Sequence, residues 1–435
     1  MQTSNPKVAA SHVVKLDCTD LLPGMFICEL DCAWADTPFS IDGFHLRTVD
    51  DIELVRKFCK IVHIDINLGS KPKRLKRSQL TILSSARRAA PESAALKVDL
   101  DTYPTTHSIK QQLGKALKSY EKIKLEFDAF SARVSQKGDE GLNLKPLEQP
   151  LLKLIDVIVA NPQTLIWILN TESAMSVSKQ HSNYCIRAAI WASILGRQVG
   201  MSRVDIRLLF QGTLLADIGL NLLPEKLVYK RGPFRKKEFL AYAKHVEFGY
   251  ELISQHPLVD DKVAGIVRCH HERHDGLGFP RGINGKQIPR LARIANLAYC
   301  YERLLRINTS QRVSPAAAMS RLYKQRELKF SQQIVLEFIH VMGMYPVGTV
   351  VDLASGEQAL ILEQNLEQKL YPKIAITTNK DQAVLKTPKI VDLAKSAASN
   401  SKRVITGAPA RSRTKVISSK YADRFFWQGN WLRKV

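Results

Sequence analysis

The stretch His270-His271-Glu272-Arg273-His274-Asp275-Gly276-Leu277-Gly278-Phe279-Pro280-Arg281-Gly282 sets two adjacent histidines, a third histidine and two carboxylates against a glycine-rich turn. It follows "DKVAGIVRC", whose apolar residues recur at helical spacing, so the paired histidines stand at the end of a predicted helix. Imidazoles concentrated at a helix end beside a Gly/Pro turn suit a metal site, provided that other helices supply further ligands.

Working outward, such helices are present. From residue 150 to 342, apolar residues recur three and four apart in "LLKLIDVIVA", "CIRAAIWASILGRQVG", "VDIRLLFQGTLLADIG", "EFLAYAKHVEFGYELIS" and "LARIANLAYCYERLL", which predicts an all-α bundle. His181, His245, His270, His271 and His274 all fall within it, together with Asp217 in an otherwise apolar run. A lone histidine of this kind is usually a satisfied core residue. Several on separate helices shift the reading toward metal ligation, and a carboxylate among apolar residues is costly unless paired or metal-bound.

The flanking segments divide the rest of the chain. Residues 12–66 alternate short apolar runs ("HVVKLD", "GMFICELD", "KIVHIDI") around the helix-like "VDDIELVRKFC", a small α+β domain. A basic linker, 67–106, precedes an amphipathic connecting helix and linker, 107–149, whose plain role is that of a spacer. After the bundle the period shifts toward two over 343–394, a β-rich extension, and 395–435 reads as a basic tail. The fold class is therefore mainly α, with small β-containing elements at either side. There is no internal repeat.

At 435 residues and 45% hydrophobic content the chain can bury a large core. No apolar run is long enough to span a bilayer, and the N-terminus lacks the layout of a signal peptide, so a cytoplasmic location is expected. The seven cysteines are odd in number and scattered, as reduced thiols would be. The net charge of +23 is concentrated in "KPKRLKRSQLTILSSARRAA" and the tail. The plain reading of both is solvated chain, although the aromatics of "FFWQGNWLRKV" leave docking to an acidic partner or anionic lipid open. No zinc finger, helix-turn-helix or basic-aromatic strand points to a specific nucleic acid.

The series His181-Ser182, "LLADIGLNLLP", Lys244-His245, "CHHERHDGLGFPRGINGKQIP" and "LARIANLAYCYERLL" resembles the HD-GYP domain, a helical branch of the HD phosphohydrolases whose members degrade cyclic di-GMP. The segments "LLPGMFICELDCAWADTPFSIDGFHL" and "RKFCKIVHIDI" resemble the small domain of unknown function that precedes it in proteobacterial members. "VMGMYPVGTVVDLASGEQALI" resembles the extension that follows it.

The resemblance implies ligand positions at His181, Asp217, His245, His270 and His271, all retained. It also places Ala216 on the histidine of the HD pair and Tyr299 on a later ligand aspartate. Leu220 falls on a lysine that could meet a substrate phosphate, Val177 on the glutamate of three-metal members, and Phe279 on the tyrosine of the GYP turn. Two metals about 3.5–4 Å apart hold the hydroxide nucleophile in such sites and neutralise charge on the phosphate. With Ala216 and Tyr299 in place, one ion would keep only His181 and Asp217, and two ligands rarely hold a metal. The expectation is a non-hydrolytic regulator of cyclic di-GMP signalling with at most one divalent transition metal, iron or manganese. The alternative is an active or weakly active phosphodiesterase on a reduced metal site. Tyr299 is expected to fill the space left at Ala216. The turn Asp275, Gly276, Gly278, Phe279, Pro280 and Arg281 is expected to stay exposed as a ligand or partner loop. Expected partners are cyclic di-GMP, a signalling protein such as a GGDEF-type domain, and a second copy of the chain.

Overall fold

A computed structural model describes residues 13–31, 44–46, 49–66, 70, 103–172, 180–230, 232–306, 313–343, 345–365, 371–396 and 405–407. The chain divides into two units, Met1–Ala95 and Leu96–Val435.

In the first unit, β1 (Val13–Asp17), β2 (Phe26–Leu30), β3 (Phe44–His45) and β4 (Ile61–Asp65) form an antiparallel sheet in the order β1-β4-β2-β3, with α1 (Val49–Phe58) between β3 and β4. The register opposes Val14 to Ile64 and Leu16 to Val62. Alternation along each strand sends these four side chains to one face, where all are buried with Ile27 and Val55. The α+β reading of this segment agrees with the structure.

The second unit is a helical bundle with a sheet built onto it. Its helices are α2 (Ile109–Lys137), α3 (Lys145–Ala160), α4 (Gln163–Thr171), α5 (Gln180–Gln198), α6 (Arg203–Leu215), α7 (Glu225–Val228), α8 (Lys236–Ala243), α9 (His245–Ser254), α10 (Asp261–Cys269), α11 (Arg290–Arg306), α12 (Pro315–Lys324) and α13 (Gln332–Met342). Helix α5 lies against both α6 and α11. Trp167, Trp191, Phe210, Tyr301 and Phe338, from five different helices, are fully buried in one cluster.

Helix α2 is more than a spacer. Ser108 caps it through a capping box with Gln111, and its buried stripe of Leu113, Tyr120, Phe127, Phe130 and Val134 belongs to the same core. The amphipathic pattern foretold a helix, but could not say what its apolar stripe would pack on.

Strands β5 (Val350–Leu353), β6 (Gln358–Glu363), β7 (Lys373–Thr378) and β8 (Val384–Asp392), the short helix α14 (Leu393–Ser396) and β9 (Ile405–Gly407) complete the unit. The strands form an antiparallel sheet in the order β8-β7-β6-β5-β9. Val350, Leu360 and Ile376 from it enter the bundle's core cluster. Strand β9 comes from the stretch read as basic tail. There, "VITG" carries β-branched residues whose signal is diluted by the cations around it. Among the described residues no single helix is long and apolar enough to cross a membrane.

Candidate metal centre

Two close approaches at glycines assemble the centre. Helix α6 ends at Leu215 and Ala216 caps it, so Asp217 lies just past the helix, opening a 3-10 turn over Ile218–Leu222. That turn crosses the start of α9 at Gly219, where a Cβ would fall 2.0 Å from the His245 carbonyl oxygen and 2.6 Å from the Gly249 nitrogen. Only glycine permits the crossing, which brings Asp217 and His245 together. Gly212 on α6 plays the same part against Ile266 on α10, where a Cβ would meet the Ile266 side chain at 2.4 Å. His270 then caps the end of α10 and faces Asp217.

The ligand atoms of Asp217, His245, His270 and His271 all lie within 4.8 Å of one another. Nε2 of His245 and Nε2 of His270 each sit 3.3 Å from Asp217 Oδ1. On the far side of each ring, Nδ1 donates to a main-chain carbonyl, from His245 to Tyr242 at 2.6 Å and from His270 to Val267 at 2.9 Å. These carbonyls fix the tautomer. A neutral ring that has its proton on Nδ1 presents a bare lone pair at Nε2, and both lone pairs face one carboxylate oxygen. Nε2 of His245 and Nε2 of His271 are buried with no hydrogen-bond partner among the described residues. Bare nitrogens converging on a buried carboxylate repel one another unless a cation or proton lies among them. Three imidazoles and one carboxylate therefore fit a single divalent transition metal.

Burial alone would raise the Asp217 carboxyl, but the His245 and His270 imidazoles hold it well below the usual carboxylate range, an effect that needs a proton, or a cation in its stead, between their Nε2 atoms and Asp217 Oδ1. Burial, reinforced by the neighbouring His270, pushes the His271 imidazole well below its ordinary value, toward the neutral form that ligates.

Beside this cluster lies an apolar plug. Ala216, Ala188 and Tyr299 pack together with Tyr184 against them, and the Tyr184 and Tyr299 rings meet edge to face at 5.1 Å. The Tyr299 hydroxyl donates to the Thr213 carbonyl at 3.0 Å. Burial raises its phenol well above the ordinary tyrosine value, so the group is neutral. Leu220 is buried in the 3-10 turn.

The glycine turn closes over the other side. Phe279 stacks on His271 with centroids 4.5 Å apart, and Phe239 of α8 meets Phe279 edge-on at 5.5 Å. Gly278 passes so near the preceding chain that a Cβ would stand 2.4 Å from the Arg273 nitrogen, while Gly276 takes a φ of +76°. The backbone N–H of Arg281 donates to the buried carboxylate of Glu272 at 2.8 Å, and Asp275 accepts from Arg273 and from the Leu277 N–H. Leu277 and Arg281 are exposed; Asp275, Gly276, Gly278, Phe279 and Pro280 are half-buried.

Of the histidines in the bundle, His245, His270 and His271 are brought together with Asp217, and His274 stands apart. Its backbone N–H bonds to the Lys329 carbonyl and its ring lies 3.8 Å from Glu327. His181 stands in the first turn of α5, but its side chain lies outside the described residues, as does Val177 entirely.

Sequence reading missed a buried ionic network behind the site. Arg187 on α5 donates from Nε to Glu302 on α11 at 2.7 Å and from Nη1 to Glu172 and the Leu169 carbonyl. Trp191 Nε1 donates to the other Glu302 oxygen at 2.8 Å. Lys124 on α2 reaches Glu172 as well, so one network ties α2, α4, α5 and α11. An arginine and a glutamate in predicted apolar helix faces were the available signal.

Comparison with known proteins agrees with this architecture. A family model for the HD domain matches residues 163–334, and one for a domain of unknown function, DUF3391, matches 13–139, past the small sheet and into α2. A cyclic di-GMP phosphodiesterase of Pseudomonas aeruginosa is 24% identical over 401 residues, 92% of either chain. The cyclic di-GMP phosphodiesterase response regulator RpfG of Xanthomonas campestris pv. campestris is 31% identical over 146 residues, 33% of this chain and 39% of that one. Among solved structures, an HDG"Y"P protein from Bdellovibrio bacteriovorus aligns with a TM-score of 0.43 and 16% identity, covering 75% of this chain and 98% of that one. With an HD domain preceded by DUF3391, matched nearly end to end by a cyclic di-GMP phosphodiesterase, the chain belongs to the HD-GYP family.

Proposed function

We propose that the chain is a regulator in cyclic di-GMP signalling that keeps one metal site of its family and has lost the other. The observation that carries this reading is Tyr299. Its side chain is neutral, bonded to the Thr213 carbonyl and packed on Ala216, so neither position offers a donor to a second ion. Asp217, His245, His270 and His271 would hold one iron or manganese ion, which when bound would act as a Lewis acid toward a phosphate oxygen. This chain's own residues position that ion through the Tyr242 and Val267 carbonyls. Leu220, buried and apolar, gives a substrate phosphate nothing to pair with.

A second reading, weak phosphodiesterase activity on the reduced site, draws support from the convergence of the four remaining ligands. The two readings part in one assay. Purified protein, reduced and supplied with manganese or iron, is incubated with cyclic di-GMP while binding is followed by calorimetry. Binding without turnover supports the regulator, and metal-dependent turnover supports the enzyme.

The turn from Asp275 to Arg281 is the proposed contact for cyclic di-GMP or a protein partner of GGDEF type. Arg281 supplies an exposed cation, and the bond from its backbone to Glu272 holds the turn in shape. Replacing Phe279 and Arg281 with alanine should weaken partner capture in a folded protein. Capture equal to that of the parent chain would reduce the turn to a structural element.

A further inference from the structure

Residues 225–244, "EKLVYKRGPFRKKEFLAYAK", bury no side chain in either of their helices, α7 and α8, although nearly half of them are apolar or aromatic. Tyr229 is 56% exposed, Phe239 42% and Leu240 55%. Lys226, Arg235, Lys236, Lys237 and Lys244 are exposed among them. Of the two acids in the stretch, Glu238 is paired with Lys230, which leaves Glu225 alone against these cations. On α8, Lys236 and Lys237 lie four and three residues before Leu240 and so share its face. The ring contact of Phe239 with Phe279 places the glycine turn beside α8, and two residues before Phe279 the side chain of Leu277 is 75% exposed.

We infer that this face, α8 together with the Leu277 tip, is a peripheral docking surface for an anionic lipid bilayer. Leu240 and Leu277 would enter the boundary between headgroups and acyl chains, and Lys236, Lys237 and Arg235 would lie among the lipid phosphates. Charge complementarity selects this occupant. The chain carries a net +23, which draws it toward any acidic surface, and here the cations flank exposed aliphatic side chains. A protein interface of comparable strength is depleted in lysine at its centre, whereas on α8 lysines adjoin the apolar residues directly. Phe239 and Tyr242 pack on Phe279 and His245 while Leu240 stays exposed, so Leu240 can enter lipid without unpacking the helix. The inference does not rest on the metal site or on the proposed loss of hydrolysis.

The test uses the full chain and vesicles of phosphatidylcholine with or without phosphatidylglycerol, read by co-sedimentation. The parent protein should sediment with the anionic vesicles and stay in solution with the neutral ones. Leu240→Ser, which alters no charge at an exposed position, should lower partitioning about five-fold. Lys236→Glu with Lys237→Glu should lower it roughly ten-fold or more, and further than the same charge change at Lys402 and Arg403. Thermal melts confirm that each variant is folded, and Leu240→Ser decides the matter should the lysine pair fail to fold. Absence of sedimentation by the parent protein would overturn the inference. So would parental binding by Leu240→Ser, or equal losses from the α8 and Lys402/Arg403 charge changes.

Discussion

The hydroxyl of Tyr299 on α11 donates to the carbonyl of Thr213 on α6 across 3.0 Å, inside the packing between those two helices. The one polar atom of the side chain is thus engaged by backbone. Tyr299→Phe should cost about 1 kcal/mol, the net worth of a single buried hydrogen bond, and leave bound metal unchanged. Denaturant titration and elemental analysis check both halves. A fall in metal content would make Tyr299 a ligand.

Gly219 sets the distance between Asp217 and His245, since its Cβ would stand 2.0 Å from the His245 carbonyl oxygen. Gly219→Ala forces the 3-10 turn away from α9. The expected cost is about 2–4 kcal/mol, from overpacking against backbone that cannot yield, with loss of metal affinity as the two ligands separate. Metal titration of the folded fraction reads the second effect.

The buried pair Arg187–Glu302 is a case where removing one partner should hurt more than removing both charges. Arg187→Met removes the guanidinium from the buried Glu302 carboxylate while the Trp191 N–H stays, and should cost about 3–5 kcal/mol. Adding Glu302→Gln should recover part of that loss, because the amide oxygen still accepts from Trp191. Chemical melts of the two single variants and the double variant measure the coupling.

In metal-free protein, stability should fall with acid. Burial holds the folded His271 below the 6.5 of an unperturbed imidazole, so below that pH the unfolded chain takes up a proton that the folded chain refuses. This contribution is fully present above about pH 7 and is lost progressively as pH falls through 6.5 toward the depressed folded value. His271→Asn should flatten that slope in melts after chelation. An unchanged slope would mean that another group titrates.

The sequence made the bundle legible through its periodicity, and made Asp217, His245, His270 and His271 legible through the specificity of the "HHERHDGLGFP" turn and the motifs around it. His274 belongs to the same motif in sequence but stands apart from the four ligands, its backbone N–H bonded to the Lys329 carbonyl, since adjacency along a chain does not set side-chain direction past a helix end. The Gly219 crossing and the Arg187–Glu302 network were hidden for a different reason. Each joins elements far apart in sequence, and neither a glycine after an aspartate nor an arginine in "CIRAAIW" announces its partner. Filling of the space beside Ala216 by Tyr299 was foreseeable from volume alone, and the shared cluster with Ala188 fits it.

The central claim, one ion held by four ligands beside the Ala216–Tyr299 plug, is tested most directly by elemental analysis of protein purified without oxygen in the presence of iron or manganese. The parent chain is compared with the Ala216→His, Tyr299→Asp double variant. The expected result is at most about one ion per folded parent chain and a clear rise in the double variant, in line with four ligands converging on one point. A parent chain carrying about two ions, with hydrolysis of cyclic di-GMP to match, would contradict the claim.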